Sequence, residues 1–99
     1  MKIEILGSAE ADLKAGYAFY ESQGTGLGDY FLDSLSSDID SLHLFAGIHA
    51  VTFERYFRML SKRFPFAVYY QVNAGVVRVC AVLDCRQDPR RIMDRLSRP

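Results

Sequence analysis

The residues with the clearest capacity for chemistry are arginines in the second half of the chain. The net charge is zero, but residues 1–50 carry two lysines against eight carboxylates. Residues 51–99 carry ten arginines or lysines against four carboxylates. Guanidinium groups bind phosphate and carboxylate oxygens well, so this asymmetry suggests a surface that contacts an anionic partner. The alternative is that the two halves neutralise each other within the fold or across a dimer.

Nucleophilic and metal-binding motifs are not visible in the sequence. There is no Ser-His-Asp or Cys-His set, no glycine-rich phosphate loop and no paired-carboxylate motif. Cys80 and Cys85 are the two cysteines, and their spacing suits neither a CxxC redox pair nor a zinc knuckle. His43 and His49 lie in another part of the chain without a carboxylate in ligand spacing. We therefore expect no metal and no cofactor.

Two central strands must position the basic residues. Residues 64–72 are aromatic and β-branched, and residues 76–84 are almost unbroken Val, Ala, Cys and Leu. Asn73, Ala74 and Gly75 between them predict a three-residue hairpin loop, with glycine available for a positive φ.

The first half of the chain predicts one strand and two helices. Residues 2–6 form a short strand, and Ser8 is the expected N-cap of a helix that ends at Gly24. A second amphipathic helix runs from about Leu27 to about Phe45. Because the connecting loop is short, the two helices should pack as an antiparallel hairpin.

The remaining segments complete an α+β fold. We expect one strand within residues 51–62, centred on Tyr56–Leu60, and a C-terminal helical turn capped by Asp88 with Pro89 at its first position. The order is β-α-α-β-β-β plus that turn, with an antiparallel two-helix hairpin packed on a small, mostly antiparallel sheet. Residues 1–99 form one domain.

One face of that sheet should remain partly open. If Arg58 and Arg78 share it, the face is a concave basic surface; if not, one of them pairs with an acidic side chain. No signal peptide is apparent, and no segment approaches the roughly 20 apolar residues of a membrane span. We therefore expect a cytoplasmic protein with no membrane contact.

A family resemblance is carried by the central strands and the segment that follows them, FPFAVYY at 64–70 and VCAVLDCRQDP at 79–89. With Tyr20-Glu21 and GLGDYF at 26–31, these segments resemble the RelE/ParE superfamily of bacterial toxins from type II toxin–antitoxin modules. The resemblance covers nearly the whole chain and implies a cognate antitoxin as partner.

The motifs fit the ParE-like, plasmid-stabilisation-type branch better than the RelE-like branch. This resemblance implies a growth-inhibiting toxin that acts by protein binding, with DNA gyrase as the target. The residues that would contact the target are Arg78, Arg86, Arg90 and Arg91. The alternative for Arg86 is a salt bridge with Asp88 that only holds the tail in place.

A second hypothesis is that the chain is a ribosome-dependent mRNA endoribonuclease of the RelE-like branch. Metal-free RNA cleavage needs a base, an acid and cations around the phosphate. The resemblance would assign catalytic cations to Arg58 and Arg86, but Ala67 and Ile92 stand where that branch has Arg and Tyr. An enzyme is therefore the less favoured interpretation.

A third hypothesis is that the chain is a degenerate, non-toxic scaffold that binds only its antitoxin or forms a homodimer. The superfamily resemblance implies an antitoxin segment that lies beside the helical hairpin or adds to the sheet. We expect Tyr56, Phe57 and Phe66 to be exposed aromatic residues that contact this segment.

Overall fold

The computed structural model describes residues 1–98 as a five-stranded sheet with four helices. In chain order the elements are β1 (Lys2–Ile5), α1 (Gly7–Gln23), α2 (Leu27–Asp40), α3 (Leu42–Phe45), β2 (Ala50–Thr52), β3 (Tyr56–Leu60), β4 (Phe66–Asn73), β5 (Val76–Asp84) and α4 (Pro89–Leu96). The strand order is β1-β5-β4-β3-β2, with β1 parallel to β5 and the other pairs antiparallel. The predicted α+β class and order of elements are confirmed.

Two glycines let α1 and α2 approach closely. The aromatic ring of Phe31 lies against Gly16, where a Cβ atom would overlap it. At Gly28 a Cβ atom would lie 2.6 Å from Cε2 of Tyr17. Each helix therefore offers a glycine to an aromatic ring of the other, which is why the hairpin packs tightly.

The main core lies between this hairpin and one face of the sheet. Phe31 and Leu35 of α2 pack there against Val68, Tyr70 and Val79 of the central strands, all of them buried. The apolar stripe of α2 thus covers the sheet face that the alternation of β4 presents. No helix within residues 1–98 is long and apolar enough to cross a membrane.

The predicted helix boundaries were wrong at two positions. Ser8 is not the N-cap, because α1 already begins at Gly7 and the Ser8 hydroxyl donates to the carbonyl of Cys80 at 3.0 Å. The second helix breaks at Ser41, whose hydroxyl donates to the Asp38 carbonyl at 2.6 Å. Such local bonds from serine compete with regular helix geometry.

The strand predicted to be centred on Tyr56–Leu60 is confirmed as β3, but an unpredicted strand, β2, pairs with it as a hairpin. Its turn places Phe53 and Glu54 at φ angles of 53° and 58°, and the amide of Arg55 donates to the carbonyl of Thr52 at 3.2 Å. Two consecutive positive φ angles define a type I′ turn, which normally selects Asn or Gly. The sequence therefore carried no signal for this turn.

The β4–β5 loop is also shorter than predicted. Asn73 pairs with Val76, so the loop contains two residues rather than three. Ala74 and Gly75 have φ angles of 50° and 77°. The expected positive φ at Gly75 is confirmed, and Ala74 adopts one as well.

The second face of the sheet carries α4. Ile92 and Leu96 of this helix are buried against Tyr69, Ala81 and Leu83 of the central strands. The predicted cap is confirmed, because a carboxylate oxygen of Asp88 accepts from the amide of Arg90 at 2.9 Å, with Pro89 opening the helix. The face predicted to be partly open is thus partly covered by this helix.

Candidate functional site

Arg58 and Arg78 lie on the same sheet face, the one that α4 partly covers. Arg58 is paired with Tyr69 and Arg78 with Gln71, and cross-strand partners point to the same side. Tyr69 and Gln71 are two residues apart on β4, so they share a face. A bulge at the Tyr69/Tyr70 step shifts the register between β4 and β5, so that Arg78 lies opposite Gln71 and shares its face. The two arginines therefore belong to one basic face.

Arg58 hydrogen-bonds to one side chain of β4 and to one side chain in the turn after β5. Its Nε donates to the Tyr69 hydroxyl at 3.3 Å, and one of its terminal nitrogens donates to the Cys85 sulfur at 3.5 Å. The hydrogen bond with Tyr69 raises the pKa of Arg58. The cation is therefore fixed on the sheet face by neutral groups.

Arg86 lies on the other side of the sheet. Its guanidinium donates to both carboxylate oxygens of Asp84, at 3.1 and 2.8 Å. Asp84 pairs with Phe66, whose ring is in the core beneath the helical hairpin. Arg86 is therefore held by Asp84, whereas Arg58 on the opposite face hydrogen-bonds to Tyr69 and Cys85.

The alternative in which Arg86 forms a salt bridge with Asp88 is wrong. Arg86 pairs with Asp84, and Asp88 pairs instead with Arg90 at 3.2 Å. Hydrogen bonding from the Arg86 side chain lowers the pKa of Asp84. Arg86, Arg90 and Arg91 all remain exposed, so each can contact a partner.

The expected exposure of the aromatic contact residues is wrong for two of them. Tyr56 is 6% exposed and Phe66 is 8% exposed, because each lies in one of the two cores. Phe57 is half-buried and stacks on Tyr70, with ring centroids 5.2 Å apart. The sequence predicted exposed aromatic side chains on the strands because it did not show that helices pack on both faces of the sheet.

Exposed apolar side chains lie instead around a cavity of about 500 Å³ beside α3 and β3, which we call the apolar groove. Buried Met59 lines it. The other apolar lining residues are Phe45, Ile48 and Leu60, which are 48%, 73% and 57% exposed. The signal available in the sequence was the group of apolar residues Leu44, Phe45 and Ile48, at the end of α3 and just after it.

An open sheet edge borders the apolar groove. Pairing of β2 with β3 stops at Arg58, so Met59 and Leu60 have partners only on the β4 side. At the end of the strand, the Ser61 hydroxyl donates to the Asp38 carboxylate at 2.7 Å, which fastens this edge to α2. Because β2 does not reach Met59 and Leu60, the backbone of these two residues lacks a strand partner on that side and lies next to the exposed apolar side chains.

The connector between α3 and β2 is fixed by one tyrosine. The amide of Gly47 donates to the Tyr70 hydroxyl at 3.0 Å, and Nδ1 of His49 also hydrogen-bonds to that hydroxyl. Burial lowers the pKa of His49, which favours the neutral ring. Since Tyr70 is itself fully buried, the wall of the groove is attached to the rigid core.

A tether joins α4 to α1 across the edge of β5. The Asp12 carboxylate accepts two hydrogen bonds from the Arg95 guanidinium, both at 2.7 Å, and a third from the amide of Val82 at 2.9 Å. On the sheet face, the Tyr56 hydroxyl donates to the Leu96 carbonyl at 2.8 Å. Contacts at two positions therefore hold α4 against the basic face.

Within residues 1–98, no group of three or more His, Cys, Asp or Glu side chains is arranged to hold a metal ion. Cys80 and Cys85 are free thiols. Burial raises the pKa of the Cys80 thiol.

Comparison with known proteins gives a match at the level of structure. No protein-family model matches the sequence, and no curated protein matches it. Among solved structures, one described as "Chromosomal ParDE TA system from P. aeruginosa" is similar, with a TM-score of 0.70 and 17% sequence identity. The match covers 83% of this chain and 92% of that chain. This chain therefore has the fold that its resemblance to the RelE/ParE superfamily predicted.

Proposed function

We propose that this chain is the toxin component of a toxin–antitoxin system and that a cognate antitoxin neutralises it by docking in the apolar groove. The observation that carries the proposal is the fold shared with a structure described as a ParDE toxin–antitoxin system. Three well-exposed apolar side chains clustered beside an open sheet edge support it, because such clusters mark protein interaction sites.

The groove favours an amphipathic partner segment. Phe45, Ile48 and Leu60 offer apolar surface, and Lys62 and Arg58 add positive charge to the lining. The lining also contains Asp38, which is buried and accepts a hydrogen bond from Ser61. A segment with aliphatic side chains toward the groove and carboxylates toward these cations would complement both features. An extended part of that segment could also hydrogen-bond to the free edge of β3, as in other strand-addition complexes.

For the target we propose DNA gyrase, inhibited by protein binding. The sequence motifs fit the ParE-like branch, and the exposed cations Arg78, Arg86, Arg90 and Arg91 are available for contact. Ala67 and Ile92, which stand where the RelE-like branch has Arg and Tyr, give the ribonuclease hypothesis less support. Growth inhibition and a role in plasmid stabilisation belong to the same proposal.

The first experiment is to induce the chain alone in a bacterial host and follow growth together with a DNA-damage reporter. Growth arrest with the reporter active is the expected result, because a poisoned gyrase leaves broken DNA. Arrest with a silent reporter would replace the gyrase target with the ribonuclease reading, to be checked by mapping cuts in mRNA. Normal growth at full expression would contradict the toxin proposal and favour a scaffold that only binds.

The groove is tested by co-expression with the product of a short open reading frame that adjoins the gene. This product should restore growth and co-purify with the chain. Ile48→Ser and Leu60→Ser should each abolish capture while toxicity persists, because both side chains are exposed and leave the core intact. Met93→Ser is the matched control, since Met93 is 49% exposed on α4, away from the groove. Equal capture by all three variants would place the antitoxin elsewhere.

A further inference from the structure

A second cavity lies on the basic sheet face, between α4, the end of β1 and the turn before β3. Its volume is about 390 Å³, and four guanidinium side chains line it: Arg55, Arg78, Arg95 and Arg98. We call it the arginine pocket. Gln71 and Cys80 add polar atoms, and its lining contains no Asp or Glu among the residues that the structure describes.

Most of the positive charge in the arginine pocket is not neutralised. Arg95 is paired with Asp12, but Arg78 has only a loose contact with Glu4 at 3.8 Å, with both side chains roughly half exposed. Arg55 and Arg98 have no ion-pair partner within residues 1–98. A concave surface lined by one sign of charge concentrates the field and attracts ions of the opposite sign.

The fold holds Arg55 in place at a cost in backbone strain. Phe53 and Glu54 both adopt the left-handed region immediately before it, which costs about 1 kcal/mol or more per residue. Phe53 lines a small cavity of about 160 Å³ together with Met93 and Leu96 of α4. A side-chain nitrogen of Gln71 then donates to the Arg55 carbonyl at 3.3 Å.

The guanidinium of Arg55 is oriented as well. It lies 5.6 Å from the centroid of the Tyr56 ring, within the range of a cation–π contact. The Tyr56 ring is itself buried between the sheet and α4. Arg55 is thus presented on a rigid support beside Arg78, and no exposed aromatic ring lines the pocket on which a nucleobase could stack.

We propose that the arginine pocket binds a phosphate group. Planar guanidinium groups match the oxygens of phosphate and hydrogen-bond to them in pairs, and three cations are available without a strong competing carboxylate. The group can come from a small phosphate ester or from the backbone of a nucleic acid. This site is separate from the apolar groove, so it adds to the proposed function and does not depend on it.

The test is a titration of the isotope-labelled chain with inorganic pyrophosphate, followed by NMR. Saturable shifts of the Gln71 and Cys80 amides are expected at millimolar concentrations or below. Arg55→Gln and Arg78→Gln should each weaken binding about tenfold or more, because a hydrogen bond to a charged group is lost. Arg90→Gln is the matched control, because Arg90 is an exposed arginine of α4 outside the pocket.

A conservative variant separates shape from charge. Arg78→Lys keeps the charge but loses the planar fork, so it should bind more weakly than the parent and more tightly than Arg78→Gln. Circular dichroism melting must show that each variant is folded. If a Gln variant is unfolded, pyrophosphate binding by Arg78→Lys decides the test. An absence of saturable shifts, or an equal loss in Arg90→Gln, would overturn the proposal.

A single-stranded oligonucleotide distinguishes the two sources of phosphate. If it displaces pyrophosphate and binds more tightly as its length increases, the pocket recognises a nucleic-acid backbone. If it fails to compete while pyrophosphate still saturates the pocket, the ligand is a small phosphate ester. These measurements use purified protein and are independent of growth arrest or antitoxin capture.

Discussion

Replacing Asp12 with alanine should detach the C-terminal helix from the edge of the sheet. The Asp12 side chain is 13% exposed and Arg95 is 25% exposed, so solvent screens this pair only in part. The substitution removes two charge-assisted hydrogen bonds and leaves the amide of Val82, a residue with 1% exposure, without its partner. Both losses destabilise the folded chain.

The magnitude follows from those contacts. At the lower end for a partly exposed pair, the charge-assisted bonds contribute about 1.5 kcal/mol, and an unpaired buried amide costs about 1 kcal/mol or more. The free energy of unfolding should therefore fall by about 2.5 kcal/mol in Asp12→Ala. For a domain of this size the melting temperature should fall by roughly 10–20 °C.

Chemical denaturation of four proteins measures this effect: the parent, Asp12→Ala, Arg95→Gln and the double variant. The double variant should lose little more than Asp12→Ala, which gives a coupling energy of about 1 kcal/mol or more. Hydrogen exchange at the Val82 amide should accelerate in Asp12→Ala and much less in Arg95→Gln. Asp33→Ala is the control, since Asp33 is exposed and has no ion-pair partner within residues 1–98.

The reasoning would be refuted if Asp12→Ala lost less than about 0.5 kcal/mol, the range of ordinary surface substitutions. Additive losses from the two single variants would show that the carboxylate and the guanidinium do not act together. Either result would leave apolar contacts of Ile92 and Leu96 as the main attachment of α4.

Two further predictions concern the helical hairpin and the turn after β5. Gly16→Ala should destabilise the chain by about 1–3 kcal/mol in thermal unfolding, because the added Cβ would overlap the Phe31 ring. Gly7→Ala is the control, because a Cβ atom at Gly7 would have nothing within 4 Å. Equal melting temperatures of the two variants would contradict this prediction. Hydrogen bonding from Arg86 lowers the pKa of Asp84 below its ordinary 3.8, so this carboxylate stabilises the fold at higher pH and loses that effect as pH falls below about 4. Asp84→Asn should therefore show a smaller acid-induced loss of stability than the parent, and an unchanged acid profile would rule this pair out.

Several elements could be read from the sequence because their signals are local. The run of aromatic and β-branched residues specified β4, and the pair Asp88-Pro89 specified the start of α4, since capping depends on adjacent residues. The resemblance in motifs also predicted the fold that the structural comparison found at only 17% identity. The hairpin of β2 and β3 was missed because Phe53 and Glu54 are unusual residues for a type I′ turn.

The candidate sites were less predictable, because they depend on which faces meet. The register shift at Tyr69/Tyr70 decides that Arg78 joins Arg58 on one face, and a one-residue slip would have placed it on the other. The apolar groove arises where a connector without regular structure is fixed by the distant hydroxyl of Tyr70. Neither feature leaves a periodic pattern in the sequence.

The sequence by itself determined most of the helices and strands, their order and the basic character of the second half, because these follow from neighbouring residues and simple periods; the break before α3 and the strand β2 were not determined in this way. Only the tertiary structure decided which charges are neutralised and which remain available. Asp12 and Arg95 are 83 positions apart and pair because α1 and α4 meet at the edge of β5. Arg55 and Arg78 line a common pocket without strong partners for the same physical reason: packing, rather than spacing along the chain, sets the distances between charges.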